Sequence, residues 1–258
     1  MSSFLILYLV AVALTALGFI KFMWFLSLGY AFSVVAMGIA NLIIFRNNLT
    51  LSTAILNVLF IVYGCRLGSF LYIREGSSSY INKDKNKQEE EKPEKPHSLV
   101  SKISIWLPCA FIYVCEVSPV LFRLQNGAFN SILIYIGIVI SCLGIFFEGV
   151  GDYQKFTSKK KNPTRFCDIG LYKIVRCPNY LGEILFWTGI FVSGINALQG
   201  VWQWLAACFG YVCIVFIMIS AASSLDKKQK RNYAENNEFQ TYASSTPLLI
   251  PFAPVSRK

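Results

Sequence analysis

Charge and histidine are what this chain has least of. Only 15% of its 258 residues are charged, against about 25% in a soluble domain. The mean hydropathy is +0.50. A soluble globular class is therefore excluded. The one histidine, His97, lies in a charged stretch, and the eight cysteines form no Cys-x-x-Cys pair. That pattern argues against a zinc site and against a disulfide framework. Most of the cysteines fall in apolar runs, where a reduced thiol behaves as a small hydrophobe. Residues 1–20 have no basic leading region and run directly into a second apolar segment, so no cleavable signal peptide is expected.

Long apolar runs are what the chain has instead. Seven segments, 4–20, 22–45, 51–73, 103–121, 129–150, 180–198 and 201–223, approach or exceed the roughly 20 residues needed to cross a bilayer. The expectation is an all-α polytopic membrane helix bundle of about seven transmembrane helices. The weakest boundary is the joint at Lys21.

The net charge of +10 would suit a nucleic-acid partner, but its distribution points elsewhere. Twenty of the 24 Lys and Arg fall in three segments, 74–102, 155–176 and 227–258. With seven spans these three share one side, which the positive-inside rule makes cytosolic. The N-terminus is then lumenal or outside and the C-terminus cytosolic. The expected partner is the lipid bilayer, with no nucleic acid and no metal.

Along the chain, 75–102 is rich in Ser, Lys, Glu and Asn with few aliphatic residues, and reads as a flexible cytosolic linker. It separates an N-terminal three-helix unit, 1–74, from a C-terminal unit, 103–258. The latter carries a cytosolic loop, 151–179, and a cytosolic tail, 224–258, whose apolar patch TPLLIPF (246–252) can dock on the membrane or the bundle. Asn48-Leu49-Thr50 is a glycosylation sequon on the expected lumenal side.

Ionisable groups in or beside membrane spans are candidates for function. Here they are Arg66, Glu116, Glu148 and Glu183, with Asp152 and Lys155 just past the fifth span. Glu148, Asp152 and Lys155 share one helix face by their spacing. Two readings stay open: pairing between helices, or a polar pocket opening to the cytosol. The segment GLYKIVRCPNYLGE (170–183) fits the pocket. Pro178 suits the first turn of a helix, whose free N–H groups favour an anion. Lys173 and Arg176 add positive charge, and Asn179 offers a donor and an acceptor to an amide such as nicotinamide.

These residues resemble the DUF1295 / steroid 5-alpha-reductase C-terminal family, whose members read close to GL(F/Y)xYSRHPNYxGE before a Trp-containing helix. EGVGDYQKF at 148–156, YGCRLGSFLYIRE at 63–75 and LDKKQKRNYAENNEFQTYASSTPLLIPF at 225–252 are similar to further stretches of that pattern, in the same order. The resemblance implies a membrane reductase binding NADPH from the cytosol and delivering hydride to an activated C=C bond of a steroid or other hydrophobic lipid enone. For a eukaryotic chain it implies the endoplasmic reticulum membrane. It implies cofactor contacts from Asp152, Asn179, Tyr180 and Glu183, and from Lys155, Arg176, Arg74 and Tyr233 toward the phosphate and adenosine end. Tyr63 falls where steroid reductases place a phenol on the substrate carbonyl, a general-acid role. Arg66 and Glu116 are candidates beside the substrate, and Glu148 is a second catalytic candidate.

Two departures stand out. Cys177 occupies the family's His position, and the second span, 22–45, offers no acid as partner for Tyr63. A membrane S-adenosylmethionine-dependent methyltransferase of the isoprenylcysteine carboxyl methyltransferase type has a similar architecture. Its core lacks the Asn-Tyr-x-Gly-Glu form. A non-catalytic scaffold built on the reductase fold is the third reading.

Overall fold

The computed structural model describes residues 2–76 and 98–251. His97, most of the charged linker and Phe252 of the tail patch lie outside them. The described residues form helices and no strand: α1 (Ser2–Thr15), α2 (Leu28–Ile44), α3 (Leu51–Glu75), α4 (Leu99–Gln125), α5 (Ile132–Lys161), α6 (Pro178–Gly194), α7 (Gly200–Asn232) and α8 (Asn237–Ser245). This is an all-α multi-pass membrane bundle. Each of the seven apolar runs is mainly helical. Five helical stretches are long and apolar enough to span a bilayer, beginning at Phe22, Leu51, Leu99, Ile132 and Gly200. The other two runs are carried by the shorter α1 and the 17-residue α6.

Local chemistry sets several boundaries. Lys21 is extended between two short 3-10 turns, so the chain breaks where the first two apolar runs join. Lys21 Nζ and Trp24 Nε1 both donate to Glu75 Oε2 at the end of α3, at 3.0 and 3.2 Å. A basic and an aromatic side chain suit a membrane–water border. Thr50 caps α3 in a reciprocal capping box with Thr53, which commits the sequon's hydroxyl to helix initiation. Ser98 and Asn236 cap α4 and α8 more simply, their side-chain oxygens accepting from the Ser101 and Phe239 N–H groups.

The chain divides by packing into two compact units, Met1–Ile138 with Ile190–Gly210, and Val139–Gly189 with Tyr211–Lys258. In the first unit α1, α2 and α4 pack together, and α2 lies along α3. Glycine permits the close approach: a Cβ on Gly64 would sit 2.4 Å from the Ala31 carbonyl oxygen. Arg123, deeply buried in α4, donates to the carbonyls of Ser193 and Phe129 at 2.8 and 3.0 Å and to Asn196 Oδ1. Its guanidinium thus satisfies the Ser193 carbonyl at the C-terminal end of α6.

Candidate functional site

The second unit is organised by an unusually close contact between α5 and α6. A Cβ on Gly182 would lie 2.5 Å from the Glu148 nitrogen, and one on Gly144 would lie 2.4 Å from the Phe186 nitrogen. Further along, Gly151 abuts Pro178 and the Asn179 nitrogen. Small residues let helix backbones approach in this way within a membrane. Ser141 Oγ strengthens the contact by donating to the Phe186 carbonyl at 3.1 Å.

The crossing brings one face of α5 against the first turns of α6. Glu148 and Asp152 from α5 and Glu183 from α6 are all buried. Glu148 borders Gly182, and Gly151, beside Asp152, borders Asn179. Helix α6 begins at Pro178, as expected for that residue. The Cys177 carbonyl accepts from the Leu181 N–H at 3.1 Å, closing the first turn. Asn179 Oδ1 is buried in this corner with no hydrogen-bond partner. Tyr180 is half-buried on the same turn. Lys155 lies near enough to Cys177 to act on its ionisation.

The segment 170–177 is clamped from several directions. Gly170 has φ +57°, a left-handed conformation suited to glycine, and a Cβ there would strike the Gln154 side chain. Gln154 Oε1 accepts from the Leu171 N–H at 2.9 Å, tying the segment to α5. On its other side runs the tail: the N–H groups of Arg176 and Cys177 donate to the carbonyls of Pro247 and Leu248 at 2.9 and 3.0 Å. Tyr242 Oη donates to the Tyr172 carbonyl at 2.7 Å. The described part of the TPLLIPF patch therefore docks on this segment.

Arg176 is buried, and its guanidinium donates to Asp226 on α7 and, at 3.1 Å, to the Thr246 carbonyl. Lys230 meets the other oxygen of Asp226 at 3.1 Å. These contacts give Arg176 a fold-stabilising task that its sequence position did not reveal. Tyr233 joins an aromatic cluster with Phe166, Phe239 and Tyr242. Its hydroxyl accepts from Lys159 Nζ at 3.0 Å.

Ionisation follows burial here. Desolvation pushes the Cys177 thiol up to about 11, against the opposing pull of Lys155 and Arg176. Burial also raises Tyr172 and Tyr242, with Cys167 adding to the rise in both and Asp152 in the first. Both phenols stay protonated and can only donate or accept as neutral groups. Among the described residues no cluster of three or more His, Cys, Asp or Glu could hold a metal.

The other sequence-derived residues lie in the first unit. Tyr63 on α3 is fully buried, and its hydroxyl is 3.0 Å from that of Tyr30 on α2. Tyr30 in turn packs on Tyr113, ring centroids 4.7 Å apart, and the Tyr113 hydroxyl donates to the Phe25 carbonyl. Glu116, buried one turn beyond Tyr113, belongs to the same helix. Arg66 is half-buried, while Arg74 is exposed, 5.8 Å from the Phe70 ring centroid. Tyr30 was not singled out by the sequence, where only a carboxylate was sought in that span.

No curated protein and no solved structure matches the chain. One family model does, described as a protein of unknown function (DUF1295), over residues 7–246. That match spans both units, the clamped 170–183 segment and nearly the whole chain, and the protein belongs to the DUF1295 family.

Proposed function

We propose that this protein is a membrane oxidoreductase that transfers hydride from NADPH to an activated C=C bond of a steroid or other lipid enone. The observation carrying the proposal is the buried Asn179 Oδ1, without a hydrogen-bond partner, at the start of α6 and beside the turn of α5 that bears Asp152. Leaving an amide oxygen buried and unpaired costs about 1–3 kcal/mol, and a ligand amide would remove that cost. The motif resemblance at 148–156 and 170–183 supports the same reading.

The residues present fit the cofactor's nicotinamide end. Asn179 would hold the amide, Tyr180 and Glu183 would line the turn beside it, and Asp152 would border it from α5. When bound, the cofactor supplies the hydride. Lys155 is a cation beside Cys177, whereas Arg176 serves the fold through Asp226 and the tail. In the first unit, Tyr63 is the candidate proton donor to an enone. Tyr30 holds its hydroxyl in place from α2. A phenol pair supplies oriented O–H groups without a carboxylate, and this is how we read the absence of an acid in that span.

The test is thermal stability of the purified protein with NADPH, NADH or S-adenosylmethionine, since a ligand that binds the folded state raises its apparent stability. A rise with NADPH, lost in Asn179→Ala and Asp152→Ala, is expected. A rise with S-adenosylmethionine instead would replace the oxidoreductase with the methyltransferase. No rise with any nucleotide at saturation would remove both enzymes.

A further inference from the structure

A second orphaned group lies in the same unit. The Tyr172 hydroxyl is buried with no hydrogen-bond partner, and the residue is only 3% exposed. Its backbone carbonyl is occupied by Tyr242 and its N–H by the Ile169 carbonyl, so the segment is held without the hydroxyl. A phenylalanine would fill the same space. The hydroxyl therefore has no task among the described residues, yet its burial costs free energy.

Tyr172 and Asn179 are placed near the same stretch of α5. The Asn179 backbone abuts Gly151, and Tyr172 lies within electrostatic reach of Asp152 and of Cys177, two positions before Asn179. Their unused groups are complementary: a phenol that donates and an amide oxygen that accepts. Water reaches neither atom, so bulk solvent does not satisfy them.

We propose that Tyr172 and Asn179 together read a primary carboxamide, Tyr172 Oη donating to its carbonyl oxygen and Asn179 Oδ1 accepting from its NH2 group. The inference rests on the proposed function, with nicotinamide as that carboxamide. Other head groups match less well. A carboxylate or phosphate would face Asn179 Oδ1 with no proton to give it. A simple ketone would satisfy Tyr172 and leave Asn179 Oδ1 unpaired. Tyr172 is well suited to donate, because burial keeps its proton in place at any physiological pH.

The test is direct binding to purified full-length protein in detergent, by titration calorimetry, with three probes. These are NADPH, the adenosine bisphosphate half of NADPH, and the acetylpyridine analogue of NADPH, in which a methyl ketone replaces the carboxamide. Tyr172→Phe is expected to weaken NADPH and the acetylpyridine analogue about tenfold, the effect of roughly one hydrogen bond. It should leave the adenosine half unchanged. Asn179→Ala is expected to weaken NADPH and spare the acetylpyridine analogue, which has no NH2 to lose. Equal affinity of Tyr172→Phe and wild type for NADPH would overturn the inference and leave the oxidoreductase reading standing. Equal weakening of all three probes would assign Tyr172 to the fold and also overturn it. If the wild type binds neither NADPH nor its adenosine half, the oxidoreductase reading fails and this inference with it.

Discussion

Gly182→Ala tests whether the α5–α6 contact is what holds the candidate site together. Helix propensity alone predicts stabilisation, since Ala is favoured over Gly by about 1 kcal/mol in a helix interior. The geometry predicts the reverse. The added Cβ would lie 2.5 Å from the Glu148 nitrogen and 2.7 Å from the Gly144 carbonyl oxygen. Comfortable heavy-atom contacts are about 3.5–4.0 Å, so the helices must part by about 1 Å. Both obstacles are backbone and cannot rotate away, which places the cost near the upper end of the roughly 1–3 kcal/mol typical of overpacking. Subtracting the propensity gain leaves a net loss of about 2 kcal/mol. For a chain of this size that lowers the melting temperature by about 4–8 °C. The assay is thermal unfolding in detergent followed by tryptophan fluorescence, with buried Trp187 of α6, the residue after Phe186, as a reporter. Gly144→Ala should behave alike, and the double variant should cost clearly less than the sum. Each new methyl group faces the other residue's carbonyl, and helices already parted have room for both. Gly76→Ala, whose Cβ would meet nothing closer than 3.7 Å, is the control and should be neutral. Unchanged or higher stability of Gly182→Ala, or strict additivity in the double variant, would refute the argument.

Three further outcomes are expected. Arg176→Leu leaves Asp226 with Lys230 alone and strips a donor from the Thr246 carbonyl, a loss of about 3 kcal/mol at the low end for a broken buried pair. It should appear as a lower melting temperature and faster proteolysis of the tail; unchanged values for both would contradict the role given to Arg176. Cys177, with its thiol near 11, carries about one thiolate per thousand molecules at pH 8. Mass spectrometry should find it unmodified by maleimide in the folded protein, with reactivity emerging only as the pH approaches 11 or the chain unfolds; rapid labelling at pH 7 would show that the site is open. Tyr30→Phe and Tyr63→Phe remove opposite halves of one hydrogen bond, so a double-mutant cycle on unfolding should give a coupling of about 1 kcal/mol. Zero coupling would mean that the two hydroxyls do not depend on each other.

What the sequence disclosed, and what it hid, follows the reach of each interaction. Apolar length disclosed the helices, and Pro178 disclosed the start of α6, because both are properties of adjacent residues. The face shared by Glu148 and Asp152 was readable from helical spacing, and the structure turns that face toward α6. The resemblance points Arg176 toward the phosphate and adenosine end of a cofactor; its partners in the fold, Asp226 and Thr246, are 50 and 70 positions away. Only two weak signs pointed there: a lone acid before a basic run, and an apolar patch after it. Tyr30 was hidden for another reason. A phenol counts toward the apolar run that contains it, so a search for carboxylates passes over it. It could still have been found by folding the α2–α3 hairpin about its short connection. That operation sets Ala31 against Gly64, as the structure does, and so brings Tyr30 within a helical turn of Tyr63. The same reasoning explains why Asn179 stood out and Tyr172 did not. Asn is anomalous at the mouth of a membrane helix, whereas a tyrosine in a short loop becomes anomalous only once its hydroxyl is seen to be buried with nothing to bond.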